Sequence, residues 1–374
     1  MITIREVVTS RDRRAFIEFP LKMYKDCPWF VPPLYGDEMK LLKSGGNSEI
    51  AESVFYLAEK DGKIVGRIQG IIQKQYNEIH KTAQVRFTRF DSIDDPEVAK
   101  ALFDAVEKWG ADKGMHACCG PLGYSDLDRE GLLIEGFEEN STFEEQYNYA
   151  YYGSLLEQCG YQKDVDWLEY SLTKPEKRNE MLSRVAERTL QMNKLHVAST
   201  NMSKRKYIEK YRDGFFDCLD VCYRELYGTV PISRKAQDEL VDQFMMILNK
   251  EYLVFICDEQ ENVVAFGLCF PGMGDAVKKS GGRLTPAALL KLLKSVKNPE
   301  VIDLGLVAVR PEYQKTGVNA VILNSLLDML EKGSVKSCET NLNLEDNKAV
   351  QAQWKHFTAR QHKRRRAYIK TIGE

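Results

Sequence analysis

Apolar positions recur along this chain with two periods, and the order in which those periods alternate predicts its elements. Alternating or β-branched apolar runs predict strands over residues 2–8, 54–59, 64–73 and 83–91. Asp61-Gly62, between the second and third, is a hairpin dipeptide. Helical spacing predicts helices over residues 11–24 and from Pro96 to about Lys113. Asp94-Asp95-Pro96-Glu97 opens the latter, an acidic cap with proline in the first turn. Pro28, Pro32 and Pro33 keep residues 27–33 irregular, and the polar residues 44–53 are loop. A strand over 115–120, a helix over 151–161 and a strand over 167–173 close the first half.

The second half passes through a similar order. A charged helix over 175–193 leads to a strand over 195–200, helices over 204–227 and 233–248, and two strands, 252–258 and 263–270. Residues 271–300 interrupt the pattern. A strand over 301–309, a helix to Lys332, a strand over 335–344, a helix over 347–357 and a last strand over 364–372 complete it. Two passes through one element order in 374 residues predict an internal duplication. The expected division is a domain over 1–174, a linker helix over 175–193 and a domain over 194–374. The fold class is α/β in the mixed (α+β) sense, a mixed central sheet flanked by helices in each domain.

Residues 304–327, LGLVAVRPEYQKTGVNAVILNSLL, form the most informative stretch. A strand breaks at Arg310-Pro311 and passes through Gln314, Lys315, Thr316, Gly317, Val318 and Asn319 into a helix that begins near Ala320. Such a corner aims free backbone N–H groups and the positive end of a helix dipole at one point, which suits phosphate. Gly317 leaves room for a backbone approaching a pyrophosphate. The pattern V-x-P-x-x-Q-x-x-G resembles the acyl-CoA pyrophosphate loop, Q/R-x-x-G-x-G/A, of the GCN5-related N-acetyltransferase (GNAT) superfamily. Gln314 and Gly317 match; Asn319 stands where that pattern has Gly or Ala. The whole chain also resembles a bacterial family of tandem GNAT-fold proteins with ceramide synthase-like members, through PWFVPPL, FDSIDDPEVAKAL, GLLIEGF and LEDN with RRRAY.

The resemblance implies two tandem acyl-CoA N-acyltransferase (GNAT-like) domains with acyl-CoA, acetyl or longer, as co-substrate and no metal. It implies that Leu306, Val307, Val309, the loop from Gln314 to Ala320 and Asn347 contact that co-substrate. The acceptor it implies is an amine on a small molecule or a lipid, such as a sphingoid base. Asn347 opens N-x-x-x-x-x-x-W, similar to the family's N-x-x-A-x-x-x-Y, whose Tyr is often the acid. Trp354 holds that place here; an indole can donate a hydrogen bond but cannot deliver a proton, and core packing is its other reading.

Acyl transfer to an amine calls for donors to the developing oxyanion, a base for the amine proton and an acid for the thiolate. Asp303, inside an apolar strand, is one candidate base, since burial raises a carboxyl pKa; a solvated strand-edge role is its alternative. Glu345 is the other candidate base, with Glu339 at the opposite end of its strand. A second reading of the whole chain is a non-catalytic acyl-CoA-binding or interaction protein that kept the fold.

Composition narrows the field. Apolar residues at 43% and charged residues at 29% are those of a soluble globular chain. A net charge of −2 gives no attraction to nucleic acid. No apolar run reaches the roughly 18–20 residues of a membrane span. Nine scattered cysteines, an odd number, suggest reduced thiols and a cytoplasmic protein. Cys218 and Cys222 offer half a metal site without a second pair. His356 and His362 are expected at the surface.

The interruption ends in TPAALLKLLKSVKNP, an amphipathic helix with leucines beside Lys291, Lys294 and Lys297. It would meet the acceptor or the inner face of a membrane peripherally, or pack on the protein itself. The basic HKRRRAYIK segment reads as a solvated edge strand, with a clamp on the acyl-CoA 3′-phosphate or attraction to anionic lipid as alternatives. GLLIEGF, with Tyr147, Tyr149, Tyr151 and Tyr152 after it, suggests a loop lining a cleft or seam. In the first copy the corresponding corner has no glycine and carries Asp91, Asp94 and Asp95, so that copy is expected not to bind CoA.

Overall fold

The structure is a computed structural model describing residues 1–45 and 48–373. Its elements are β1 (Ile2–Glu6), α1 (Ser10–Met23), α2 (Tyr35–Ser44), β2 (Ala51–Lys60), β3 (Lys63–Gln73) and α3 (Lys74–His80). Next come β4 (Gln84–Ser92), α4 (Pro96–Ala111), β5 (Ala117–Gly120), β6 (Leu132–Glu135), α5 (Tyr151–Gln158) and β7 (Gln162–Thr173). The second half runs α6 (Glu180–Met192), β8 (His196–Val197), α7 (Lys204–Tyr223), α8 (Arg234–Phe244), β9 (Leu253–Cys257) and β10 (Val263–Pro271). Two helices, α9 (Gly274–Lys278) and α10 (Pro286–Lys297), occupy the interruption. It closes with β11 (Val301–Val309), α11 (Val318–Glu331), β12 (Ser337–Thr340), β13 (Asn343–Leu344), α12 (Lys348–Gln351) and β14 (Thr358–Thr371).

These elements form two units that are not sequential pieces. Unit 1 takes the chain up to Leu168, the segment Gly274–Ala288 and everything from His362 onward; unit 2 takes Glu169–Met273 and Leu289–Gln361. Residues 46 and 47, inside the expected 44–53 loop, lie outside the described residues. β2 begins already at Ala51.

In unit 1 the strand order is β1-β2-β3-β4-β5-β14-β7. The first four strands are antiparallel and β4–β5 is parallel over three pairs, ending at Arg86↔Cys119. α4 buries Val98, Ala99, Leu102, Phe103 and Val106, an i, i+3, i+4 stripe. Gly66 lets that helix come close, since a Cβ there would lie 2.7 Å from Leu102 Cδ1. The same core holds Phe87, Phe90, Tyr152 and Tyr161.

Several expectations are corrected in this unit. GLLIEGF is not a loop: it forms β6, with Leu132 and Leu133 buried and paired to β14. The four tyrosines pack in the same unit, Tyr147 and Tyr149 on Tyr24 and Tyr152 on Phe90. β14 is not a solvated edge, because it lies between β5 and β7 with Lys363 and Arg365 buried. Its cations are taken internally: Arg364 and Arg366 by Asp166, Arg365 by Glu145 and Lys370 by Glu107. Burial alone would raise the Asp166 pKa, but Arg366 and Arg364 hold it low. Charges so engaged form no free patch for a 3′-phosphate or a lipid. His362 is likewise not at the surface; its side chain is buried against Glu139.

In unit 2 the order is β7-β12-β11-β10-β9-β8, with β7 contributing from Glu169. All pairs are antiparallel except β11–β12. α11 buries Val318, Ala320, Val321, Leu323, Leu326, Leu327 and Leu330 into this core. Each such leucine contributes about 1.5–3 kcal/mol. The expected strand over 335–344 is broken into β12 and β13, and the strand over 195–200 shrinks to two residues. The helix over 347–357 is one α-turn followed by a 3-10 turn, Ala352–His356.

Candidate functional site

The corner between β11 and α11 is open where an anion would sit. Gly317 is the N-cap of α11 at φ +96, and Lys315 is also left-handed at φ +64. α11 starts with no side-chain cap and no acidic residue in its first turn. Among the described residues, the amides of Lys315, Gly317, Val318 and Asn319 donate to no backbone carbonyl. They stand at the positive end of a 14-residue helix. Gln314, Lys315, Thr316 and Asn319 are exposed, whereas Val318 and Ala320 are core. The Gln314 amide donates to the Val309 carbonyl at 3.2 Å and ties the loop back to β11. Glycine is demanded at 317 before any ligand arrives: besides its φ, a Cβ there would lie 2.5 Å from Thr189 Oγ1 of α6.

Among the described residues, the strand leading to this corner loses its neighbouring strand on one side before it ends. β11 pairs with β12 only as far as Leu304↔Thr340. Asn341 closes the pair, its N–H on the Leu304 carbonyl and its side-chain amide on the Gly305 carbonyl. The β10 partners step from Leu268↔Leu306 to Cys269↔Leu304, so β11 bulges at Gly305. Beyond the bulge the Tyr223 hydroxyl, at the end of α7, takes the edge. It donates to the Val307 carbonyl at 3.2 Å and accepts from the Val307 N–H at 3.3 Å. Sequence reasoning missed Tyr223, whose one signal is a phenol near the end of the helix predicted over 204–227.

An apolar crevice opens on one face of β11. It is narrow, partly open to solvent, and lined by Leu304, Val307, Ile322, Leu323, Met329 and Trp354 among others. Trp354 is 3% exposed and its indole N–H has no hydrogen-bond partner among the described residues. The packing reading of this residue is the one its burial matches.

The fold brings Leu306, Val307, Val309 and the loop together; the other candidates are placed apart. Asp303 is buried in β11, in register with Phe270 and Glu339. Strand alternation puts it on the face opposite Leu304, away from the crevice. Glu345 is half-buried after β13, its carbonyl receiving the Lys348 ammonium and the Gln351 amide. Asn347 Oδ1 accepts from the Val350 N–H and caps α12. The Cys218 and Cys222 sulfurs lie 4.0 Å apart. Among the described residues, His196, Cys257 and Glu261 form the one group of metal-ligand dimensions. There Glu261 is already paired with Lys210 at 2.8 Å.

The matching corner of unit 1 is filled. The N-cap of α4, Asp95, accepts from the Glu97 N–H at 3.0 Å and pairs with Lys60 at 2.8 Å. Pro96 supplies no N–H, and Glu97 adds a charge to the first turn. Of the three carboxylates expected there, Asp91 is elsewhere, buried on Arg67 at 2.7 Å.

No protein-family model matches the chain. Over 99% of its length it is 26% identical to protein YghO of Escherichia coli (strain K12), covering 95% of that protein. It is 23% identical to the bacterial ceramide synthase of Caulobacter vibrioides, over 99% of this chain and 98% of that one. A solved tandem GNAT protein from the clavulanic acid biosynthesis pathway matches 100% of this chain and 99% of its own, with TM-score 0.55 at 12% identity. The fold is the tandem GNAT fold that the element order predicts.

Proposed function

We propose that the protein is an acyl-CoA-dependent N-acyltransferase whose second copy holds the acyl-CoA. The open N-terminus of α11, with its amides unpaired at a left-handed glycine, carries this reading. Phosphates bind those amides, and the acyl-pantetheine lies along the edge of β11 past Gly305, where the Val307 N–H exchanges the Tyr223 hydroxyl for the thioester oxygen. The apolar crevice suits the acyl chain. The amine attacks the carbonyl carbon; the C–N bond forms, the C–S bond breaks and the thiolate takes a proton. Tyr223 is the phenol at the edge able to supply that proton, in place of the tyrosine that Trp354 replaces. Asp303 or Glu345, both set apart from the Val307 edge, accepts the amine proton through water.

The name of the Caulobacter relative supports a lipid amine as acceptor. So does α10, which divides the leucines expected to act together. Leu292 is buried, but Leu290 and Leu293 are 70% and 47% exposed beside Lys291, Lys294 and Lys297. That face suits an anionic membrane surface. No helix among the described residues is long and apolar enough to cross one. Trp354 favours a second reading, a binding protein without catalysis.

Thiol release from acetyl-CoA and palmitoyl-CoA, measured with small amines and with a sphingoid base in anionic vesicles, decides between them. Turnover with any acceptor is expected, and acyl-CoA binding without turnover would establish the second reading. Replacing Lys291, Lys294 and Lys297 by Gln should slow the vesicle reaction and leave that with a soluble amine unchanged.

A further inference from the structure

A second polar pocket lies wholly within unit 1, on the strand that corresponds in order to β11. β4 has its own bulge: the register steps from Arg67↔Asp91 to Gln69↔Thr88, so Arg89 and Phe90 together oppose Ile68. Arg89 sits there at φ +49, a left-handed backbone that a residue with a side chain adopts only under constraint. Its guanidinium grips Glu38 through two hydrogen bonds, 2.9 and 2.8 Å, and Gln69 through a third. Arg67 is matched by Asp91 at 2.7 Å. These pairs cancel.

A third guanidinium lines the same pocket. Arg129 makes no ion pair among the described residues, and its hydrogen bond goes to the Phe143 carbonyl. Burial draws its pKa down to about 10, with the Glu38 and Glu145 carboxylates opposing the shift and Arg89 and Arg365 adding to it. Gln146 adds a buried Nε2 that donates to nothing among the described residues. The pocket is small and open to solvent on one side, and Phe30, Pro33 and Tyr147 form its apolar wall. Donors therefore exceed acceptors by one positive charge and one amide.

We propose that this pocket binds a small monocarboxylate, its oxygens held by Arg129 and the Gln146 amide and its apolar part against Phe30 and Tyr147. A planar carboxylate matches a guanidinium fork and a single excess charge. A phosphate dianion would overshoot that charge and meet Glu38 and Asp91. The inference is independent of the acyl-CoA assignment, since each pocket residue belongs to unit 1.

The test is titration of the full-length protein with benzoate, acetate and inorganic phosphate at constant ionic strength. Saturation-transfer NMR and thermal melting provide the readouts. Benzoate should bind saturably and raise the melting temperature, acetate should do so less, and phosphate should not. Gln146→Glu sets an internal carboxylate beside Arg129; it should stay folded and bind benzoate at least about tenfold more weakly. Arg129→Gln should lose binding similarly, and Asn319→Glu should bind benzoate as the wild type does. Absence of a saturable benzoate response, an undiminished response in Gln146→Glu, or tighter binding of phosphate overturns the proposal.

Discussion

The two strand-to-helix corners have the same place in their copies and opposite electrostatics. At α11 the cap is a glycine, the first turn has no acid, and the amides point at solvent. At α4 the cap is Asp95, the first residue is proline and Glu97 follows, so the chain fills its own anion site. The bulges repeat the contrast: past Gly305 the second strand meets the Tyr223 hydroxyl in place of a neighbouring strand, while Arg89 and its partners crowd the first. Duplication thus lets one copy keep an open corner while the other spends it on its own stability.

The sharpest test of that difference is charge placed at the open corner. Asn319→Glu should cut acyl-CoA binding by two orders of magnitude or so, measured by calorimetry, while the melting temperature holds, because an acid suits a helix N-terminus. Gly317→Glu should also abolish binding but cost stability, since Thr189 leaves no space. Asp94→Ala in the first copy should leave binding untouched, and equal loss from both corners would end the comparison.

Tyr223→Phe comes next. It should lower turnover about a hundredfold and keep acyl-CoA affinity, because the vacated edge of β11 remains available to the ligand. Conversion of Asp303 to Asn or Glu345 to Gln should lower turnover comparably in whichever variant removes the base, again with normal binding.

The smallest effect belongs to the filled corner. Asp95→Ala should destabilise the protein by about 1 kcal/mol through loss of the cap. It should not create a second acyl-CoA site, as Pro96 still withholds an N–H; a stoichiometry of two by calorimetry would refute this.

Elements with local signals were legible. The strand expected over 301–309 is β11, Val301–Val309, and the turn chemistry of Gln314 to Gly317 placed the N-terminus of α11. What failed depends on distant partners. Glycines flanking LLIE looked like loop markers, yet Gly131 and Gly136 are left-handed turns at the two ends of β6. The basic run of β14 looked solvated because Asp166, Glu145 and Glu107, which match it, lie some two hundred residues earlier. Tyr223 was invisible because its role rests on reaching Val307 across the fold. The interruption over 271–300 was read as one insertion, but its first part joins unit 1, where Lys278 holds the Pro28 carbonyl and Arg283 covers Tyr35.

The place of β14 has a consequence for how the protein comes into being. The strand between β5 and β7 is drawn from residues 358–371, almost two hundred residues after β7. A nascent chain that has emerged through residue 174 therefore cannot finish its first unit; β5 lacks one neighbour and β7 lacks its strand partners, and Asp166 waits for its arginines, until residues 358–371 have emerged. Closing so long a loop adds little thermodynamic cost, but it delays the step and leaves edges open to wrong partners meanwhile. A gene fragment cut at the apparent domain boundary would freeze that unfinished state.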